Sequence, residues 1–423
     1  MTSTPIITLA FKSLTNRRLT ALLTVFAIAL SVTLFIGVDK IRNGARDGFD
    51  RTISGTDLIV GARSGSINLL LYSVFRIGNA TNNVTWQSYD YWAKHPQVKW
   101  TVPLSLGDSH RGFRVLGTTP AYFDHYRYGA KKNLALAEGQ VFDDVFDAVL
   151  GADVARELGY TLGQEISVAH GIGATSFANH DDKPFKIVGI LSKTGTPVDR
   201  TIHVSLKGIE AIHIGWESGT ASPLARMVTA DQVRDMPLKP KAITAFLIGM
   251  ESRIAVLRLQ RDINQYSKEP LLAIIPGVAL SQLWSVVGIA ETALTAIAGF
   301  VVFTGLLGML TTILTSLNER RREMAILRSL GARPWHIFAL LLSEGALLAL
   351  IGAILGVLVV YGTMLFAAPM IEAQSGIYLG AVVPGAYDLA VVGIIVVASV
   401  ILGCVPAFRA YRNSLADGLT IRV

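Results

Sequence analysis

Residues 318–336 read N-E-R-R-R-E-M-A-I-L-R-S-L-G-A-R-P-W-H, and this stretch decides the fold. It is a basic segment between two long apolar ones, because residues 296–317 carry no charge and residues 337–368 carry only Glu344. A charged segment of this length cannot cross a bilayer, so we expect it to lie at one membrane surface. Its five arginines favour the cytoplasmic side.

The same stretch predicts a short amphipathic helix. Met324, Leu327 and Leu330 recur at i, i+3 and i+6, and charged residues flank this apolar stripe. Gly331 favours a helix end, and Pro334 prevents continuation beyond it. Such a helix is suited to docking into a groove of a cytoplasmic partner. A membrane-surface helix held by anionic lipid is the alternative, and the residues leave both open.

Composition indicates a membrane part joined to a soluble part. The chain has 423 residues, of which 51% are apolar and only 16% are charged, and its mean hydropathy is +0.46. Four segments meet the length of roughly 20 apolar residues that a spanning helix needs. They are residues 19–38, 283–317, 335–368 and 389–407. We interpret the first as an uncleaved anchor, since its apolar region is too long for a signal peptide.

The distribution of basic residues predicts the orientation. Eleven Lys and Arg residues lie in the N-terminal flank, the central turn and the tail, whereas residues 369–388 contain none. This bias places both termini in the cytoplasm and residues 39–281 outside. That outer region holds 27 basic and 24 acidic residues, so the net charge of +7 reflects topology and lipid contact, not a nucleic-acid partner. The single cysteine, Cys404, lies in the fourth span.

The predicted fold class is a membrane protein with four transmembrane helices, extended stalk helices and a large extracytoplasmic α+β domain between the first and second spans. The second apolar segment would reach roughly 50 Å as one helix, longer than a bilayer core of about 30 Å, which predicts the stalk. We divide the chain as follows: cytoplasmic amphipathic helix 1–18, first transmembrane and stalk helix 19–54, periplasmic domain 55–281, second stalk and transmembrane helix 282–317, cytoplasmic coupling helix 318–334, third span 335–368, outer loop 369–388, fourth span 389–408 and cytoplasmic tail 409–423.

The outer region contains strand-like segments separated by turn residues. These segments are 57–60, 114–118, 148–150, 165–168, 185–191 and 201–205, with short helices predicted at 153–158, 206–213 and in part of 245–264. Residues 67–77 (INLLLYSVFRI) are apolar but too short to span. They predict either a buried helix or a membrane-proximal lip touching lipid or an apolar substrate. The lip would consist of Leu69, Leu70, Leu71, Tyr72 and Phe75.

The pattern E-R-R-R-E-M-A-I-L-R-S-L-G-A-R-P-W-H-I-F…S-E-G-A-L-L-A-L-I-G-A-I-L-G at 319–356 resembles FtsX-like ABC transporter permeases, the group that includes MacB and the LolC/LolE proteins. The likeness extends to K-S-L-T-N-R-R-L-T near the N-terminus and V-P-A-F-R-A-Y-R-N-S-L in the tail. In the outer region, F-K-I-V-G-I-L-S-K-T-G-T-P-V-D-R resembles the periplasmic core of the same group. The four-span layout is similar over essentially the whole chain.

The resemblance implies a homodimer, or a pair with a similar subunit, on two copies of an ABC ATP-binding subunit that binds ATP and Mg²⁺. A periplasmic accessory or substrate protein is a further possible partner in such systems. The motif would be the ATPase-coupling helix, with contributions from Glu319, Arg320, Glu323, Leu327, Arg328, Leu330 and Gly331. ATP closure would move the outer domains through the stalk.

The sequence contains no G-x-x-x-x-G-K-[ST] loop, which excludes a P-loop ATPase, and no H-E-x-x-H or G-x-S-x-G motif, which weakens metalloprotease and serine-hydrolase interpretations. We therefore expect a non-catalytic chain without a cofactor of its own. Seven of its eight histidines lie in the outer region. His170 and His180 bracket a glycine-rich loop that continues into Asp181 and Asp182, a donor set that could hold zinc. Solvated surface histidines are the simpler interpretation, because the spacing matches no compact motif.

Two features of the third span invite a packing or functional role. Gly345, Ala349, Gly352 and Gly356 form a small-residue face that lets another helix approach, and we favour a span of the same subunit as that neighbour. Glu344 is an ionisable group inside a span, which makes it a functional candidate by default. A structural hydrogen bond near the inner interface is the preferred interpretation.

We therefore expect an inner-membrane, non-catalytic permease subunit that uses ATP hydrolysis by a partner to move its outer domain. Its substrate would be hydrophobic, a lipid, a lipoprotein or another envelope component. The alternatives are zinc-linked transport through the His/Asp loop, and mechanical regulation of an extracytoplasmic enzyme without transport.

Overall fold

A computed structural model describes residues 15, 18–171, 182–215, 229–319, 321–375 and 383–412. The predicted N-terminal amphipathic helix and the cytoplasmic tail therefore lie almost entirely outside the described residues. The chain forms two compact units. One comprises residues 1–43, 288–369 and 381–423, and the other comprises residues 44–287 and 370–380.

Among the described residues, four helices are long and apolar enough to cross a membrane. They are α1 (Arg18–Thr52), α9 (Pro276–Glu319), α11 (Pro334–Ser375) and α12 (Ala386–Arg412). α1 has 35 residues and α9 has 44, so each is longer than the roughly 20 residues that a bilayer core requires. A short helix, α10 (Arg321–Ser329), lies between α9 and α11.

The membrane-type unit is held together by apolar side chains from all four long helices. Its core includes Val32 of α1, Met309 of α9, Ala349 of α11 and Ile395 of α12. Many large apolar side chains on the same helices are exposed, including Phe300 and Phe366. Exposed apolar helix surfaces of this extent are expected where lipid is the solvent.

The second unit is built on one large mixed sheet. Its strands run in the order β15-β1-β14-β3-β4-β12-β8-β11-β7, with β10 paired to β3 and β9 paired to β11. Pairing is antiparallel except between β12 and β4 and between β11 and β8. The bounds are β1 Leu58–Ala62, β3 Val98–His110, β4 Phe113–Thr118, β7 Leu136–Gly139, β8 Asp147–Leu150, β9 Glu165–Ile166, β10 Ala169–His170, β11 Phe185–Leu191, β12 Thr201–Ser205, β14 Ala245–Met250 and β15 Leu271–Ile274.

Short helices and two small strand pairs complete this unit. Strand β2 (Val84–Thr85) pairs with β13 (Ala242–Ile243), and β5 (Arg127–Tyr128) pairs with β6 (Lys132–Asn133). The helices are α2 Ser66–Leu70, which continues as a π-helix over Leu71–Phe75, then α3 Trp86–Ala93, α4 Ala121–His125, α5 Ala152–Leu158, α6 Leu206–His213, α7 Ala230–Arg234 and α8 Val256–Asn264. Separate apolar clusters pack on the sheet, one of them around Leu69, Phe75 and Tyr122.

Most predicted outer elements form close to their expected bounds, with two corrections. The segment predicted as a strand at 165–168 is paired only over Glu165–Ile166. The segment 245–264 is helical in part, as predicted, through a 3₁₀ turn at Arg253–Ala255 and then α8, but it begins with the buried strand β14, which was not predicted. Because every residue of β14 is buried, its sequence is a continuous apolar run without the alternation that marks a half-exposed strand.

Candidate functional site

In the basic stretch, α10 is followed by a tight turn and then by the start of α11, and specific backbone hydrogen bonds define the turn. At the end of α10, the Ala332 N–H donates to the Leu327 carbonyl and the Gly331 N–H donates to the Arg328 carbonyl, both at 3.0 Å. Gly331 has φ +97°, the left-handed conformation that this Schellman ending requires. Pro334 then occupies the first position of α11, where its missing N–H costs no hydrogen bond.

α10 presents two different apolar faces. Met324 and Ala325 are buried, and Met324 belongs to the core of the membrane-type unit. Leu330 is 80% exposed and Ile326 is 48% exposed. The predicted stripe of Met324, Leu327 and Leu330 is therefore divided, because six residues at about 100° each rotate the helix to about 120° short of two full turns. Leu327 is half-buried between the two faces.

The charged members of the predicted coupling set are only partly described. Glu323 is exposed and Arg328 is half-buried. Arg320 lies outside the described residues, and only the backbone of Glu319 is described. Among the side chains that the structure describes, the exposed surface of α10 and its turn includes Ile326, Leu330, Glu323 and Ser329, with Gly331 also exposed. We call Ile326 and Leu330 the apolar tip.

The small-residue face of α11 packs against helices of the same chain. A Cβ on Gly352 would lie 2.8 Å from Ile28 Cβ, and a Cβ on Gly356 would lie 2.7 Å from Val32 Cβ. The Thr33 hydroxyl of α1 donates to the Gly356 carbonyl at 3.2 Å. Ala349 is fully buried, and Gly345 faces α9. This face therefore supports contact between α11 and α1 at backbone distance.

Glu344 is buried in α11, with 5% of its surface exposed. It has an interaction partner, as a buried carboxyl group in such a position requires. Its role, as a structural hydrogen bond or a functional group of the span, stays a prediction.

The prediction that residues 67–77 form an exposed substrate lip is wrong, and the alternative of a buried helix agrees with the structure. Leu69 and Leu70 are fully buried, and Tyr72 and Phe75 are 2% exposed. Leu71 is partly buried against the same apolar cluster. Phe75 stacks on Phe49, with ring centroids 4.3 Å apart. The segment 67–77 is apolar because most of it fills the core beside the sheet, where burial stabilises the fold.

The predicted metal loop falls largely outside the described residues, because His180 and Asp181 lie there. His170 is in β10, opposite Asp108 of β3 in the strand register. The exposed Asp182 lies 3.2 Å from the Lys183 amino group. Within the described ranges, no group of three His, Cys, Asp or Glu side chains is arranged to hold a metal ion.

A polar junction between three spans was missed from the sequence. The buried Asp388 of α12 accepts hydrogen bonds from the Tyr361 hydroxyl of α11 at 2.5 Å and from the Gly385 N–H at 2.9 Å. The Lys40 ammonium of α1 lies 3.0 Å from the same carboxylate oxygen. The sequence places Lys40 and Asp388 at the ends of two predicted spans, which could have suggested an ion pair. However, the two residues are separated by most of the chain, so the sequence does not show that they meet.

Comparisons with known proteins agree with this architecture. Residues 21–237 match the MacB-like periplasmic core domain family, and residues 295–415 match the FtsX-like permease C-terminal family. The chain is 24% identical over 339 residues to the pyoverdine export ATP-binding/permease protein PvdT of Pseudomonas savastanoi pv. phaseolicola, covering 77% of this chain and 46% of that protein. It is 21% identical over 419 residues to the macrolide export ATP-binding/permease protein MacB of Bdellovibrio bacteriovorus, covering 95% and 59%.

The chain thus spans about half the length of the curated relatives it matches. The crystal structure of the periplasmic region of MacB from Actinobacillus actinomycetemcomitans aligns with 55% of this chain and 94% of its own, at 12% identity and a TM-score of 0.33. The periplasmic-core match alone covers more than half of the chain, and the permease match follows it in sequence order. The chain belongs to the FtsX-like permeases that carry a MacB-like periplasmic core domain.

Proposed function

We propose that this permease is the membrane subunit of an ABC transporter and couples ATP hydrolysis by partner subunits to movement of its extracytoplasmic domain. Two ATP-binding subunits would act on a permease dimer, and the substrate would be a hydrophobic, lipid, lipoprotein or other envelope molecule. Both termini and α10 would face the cytoplasm, since the basic residues flank the spans on that side. ATP and Mg²⁺ would bind to the ATP-binding subunits, whose phosphate loop the present sequence does not contain.

The apolar tip of α10 carries this proposal. Leu330 is 80% exposed at the end of a helix whose opposite face is buried in the core. A large side chain exposed in this way gains free energy by entering a partner's groove, at about 25 cal/mol per Å² of apolar area buried. The Schellman turn and Met324 would hold the tip rigid, so a push on it would pass into α9 and α11.

The test is copurification with the ATP-binding subunit and ATPase activity in liposomes. Leu330→Asp should lower the amount of bound ATP-binding subunit by about tenfold or more, because burying an unpaired carboxylate in a groove is unfavourable. Since Leu330 is exposed, the variant should melt at the wild-type temperature. The matched control is Ile254→Asp, a 94% exposed position in the other unit, which should bind and hydrolyse normally.

Normal coupling in a Leu330→Asp/Ile326→Asp double variant would contradict docking through the tip. If that variant instead bound less to anionic vesicles, with coupling intact, α10 would be a lipid-surface helix.

A zinc-linked function is the second candidate. Asp108 Oδ1 lies 3.9 Å from His213 Nε2, and Asp108 is opposite His170 in the strand register. Calorimetric zinc titration of the full chain in detergent should then show micromolar or tighter binding that His170→Ala abolishes and His95→Ala retains. Absence of binding, or binding unchanged in His170→Ala, would remove zinc from consideration.

A further inference from the structure

A cavity of about 270 Å³ lies in the sheet-containing unit, where the loop after the π-helix faces strands β3 and β4. Arg76, Gly78, Asn79 and Asn83 line it from the loop side, and Gly107 and Arg114 line it from the strand side. Nothing in the coupling mechanism uses this cavity. Its charged lining side chains are both arginines, and its neutral polar ones include two amides.

Arg76 is held in an unusual conformation at the cavity wall. It ends the π-helix with φ 61°, in the left-handed region that bulky residues seldom adopt. Its guanidinium donates to the Ser73 carbonyl, while its buried Nε has no hydrogen-bond partner among the described residues. An enclosed guanidinium donor without an acceptor costs free energy, and an anion near the guanidinium would offset part of that cost by charge attraction.

Arg114 approaches the same space from β4. Its guanidinium donates to the Gly78 carbonyl at 2.8 Å and to Asn79 Oδ1 at 3.1 Å. Burial, and then the positive charge of Arg76, lower the pKa of Arg114. The positive charges of the two guanidinium groups therefore repel each other.

Neither arginine has an acidic counter-ion in the described part of the chain, where the ion pairs join other residues. Two neighbouring cations repel each other, and an anion between them would convert that repulsion into attraction. A guanidinium matches the two oxygens of a carboxylate or phosphate with parallel hydrogen bonds. The side-chain amides of Asn79 and Asn83 add neutral donors at the same wall.

We propose that the Arg76–Arg114 cavity binds the oxyanion group, phosphate or carboxylate, of a small molecule. The site goes beyond the proposed coupling function, because occupancy requires neither ATP nor a partner subunit. The volume admits a phosphate or a short carboxylic acid, and a larger ligand would place only its anionic end there.

The experiment is isothermal titration of the full chain in detergent with inorganic phosphate, glycerol phosphate and succinate in separate runs. At least one should bind with a dissociation constant of about 1 mM or tighter. Phosphate binding without succinate binding would identify a phosphate site. Tighter binding of glycerol phosphate would indicate a headgroup-like ligand, and succinate binding alone would indicate a carboxylate site.

Arg76→Gln should weaken binding by about tenfold or more, since it removes one charge-assisted donor pair. Asn83→Leu fills the cavity without touching either guanidinium and should weaken binding similarly, so the test survives if Arg76→Gln fails to fold. Arg111→Gln is the control, because Arg111 is exposed on the turn before β4 and should leave affinity unchanged. No binding of any of the three ligands, or equal binding by wild type and both cavity variants, would overturn the proposal.

Discussion

Gly356 and Gly352 determine how closely two spans can pack. At both positions the space for a Cβ is already occupied by α1, including the Ala29 carbonyl oxygen at 2.7 Å from the Gly356 site. Gly362, one further turn and a half along the same helix, has nothing within 4 Å of its Cβ position. The same residue type therefore has a packing role at two positions of α11 and none at the third.

Gly356→Ala should lower the free energy of unfolding by about 1–3 kcal/mol, because the added methyl group overpacks the α1–α11 contact. Gly352→Leu should go further and impair assembly. Gly362→Ala should be neutral or slightly stabilising, since alanine favours helix more than glycine does. Thermal unfolding of the detergent-purified chain measures these differences, and equal melting of the Gly356→Ala and Gly362→Ala variants would refute the packing role.

His203 makes the stability of the sheet-containing unit depend on pH. It is fully buried against Tyr122, and burial, followed by the charge of Arg76, lowers its pKa to about 3. An unfolded histidine has a pKa of about 6.5, so the unfolded state binds the proton first as pH falls. The stability contributed by neutral His203 is therefore complete above pH 6.5 and is lost progressively towards pH 3.

Between pH 7 and pH 5.5 the wild type should lose about 1 kcal/mol through His203. His203→Leu should remove that part of the pH dependence while keeping the site apolar and filled. Urea unfolding at the two pH values checks this. An unchanged pH dependence in the variant would assign the effect to other groups.

At the scale of elements, the composition of the apolar segment 67–77 does not show whether its side chains are buried or exposed. Phe75 is 2% exposed and stacks on Phe49, whereas Ile77, two residues later, is 44% exposed. The difference lies within one segment, so the two side chains form a matched pair for testing core against lip.

Phe75→Ala should cost about 3–5 kcal/mol of unfolding free energy, as expected for a large aromatic side chain removed from a core. Ile77→Ala should change it by about 0.5 kcal/mol or less. Tryptophan fluorescence during denaturation reports on this unit, which contains Trp86, Trp92 and Trp100. A stable Phe75→Ala variant that bound less to lipid would restore the lip.

The junction at Asp388 joins α1, α11 and α12 through one carboxylate. Asp388→Asn should cost about 1–3 kcal/mol, because it leaves the Lys40 ammonium without its counter-ion. Asp39→Asn is the control, since Asp39 pairs with Arg42 inside α1 and such pairs contribute about 0.5 kcal/mol. Comparable melting of the two variants would show that the junction does not hold the spans together.

At the scale of the whole molecule, the surfaces of the two units suit different surroundings, which are lipid for the helical unit and water for the sheet-containing unit. One exposes apolar helix surface, and the other buries its apolar clusters around a sheet. The basic residues lie near one set of span ends, which predicts that these ends and both termini face the cytoplasm. Cysteine labelling can test this orientation.

In a Cys404→Ser background, Lys268→Cys should react with a membrane-impermeant maleimide in intact spheroplasts. Arg333→Cys should react only after lysis. Both positions are exposed, so burial should not limit either reaction. The opposite pattern would reverse the proposed topology.

The sequence alone determined the features that depend on composition along the chain. Apolar length predicts spanning helices, and the described chain has four helices that meet this criterion. Gly331 predicts the end of α10, and the left-handed φ appears there. Local apolar runs with turn residues between them predicted six strands of the main sheet, namely β1, β4, β8, β9, β11 and β12. They did not predict β3, β7, β10, β14 or β15, and in β3 Pro103 and Gly107 interrupt the pattern.

Only the tertiary structure decided which surfaces those elements share. Met324 and Leu330 belong to one sequence stripe, yet packing buries the first and exposes the second. Lys40 meets Asp388, and Arg76 and Arg114 line one cavity, through contacts between residues far apart in sequence. The hydrophobic period and the helix ends can be predicted from the sequence because both depend on residues that are close together along the chain. The pairing of distant charges and the burial of a short apolar segment depend on which elements pack together in three dimensions.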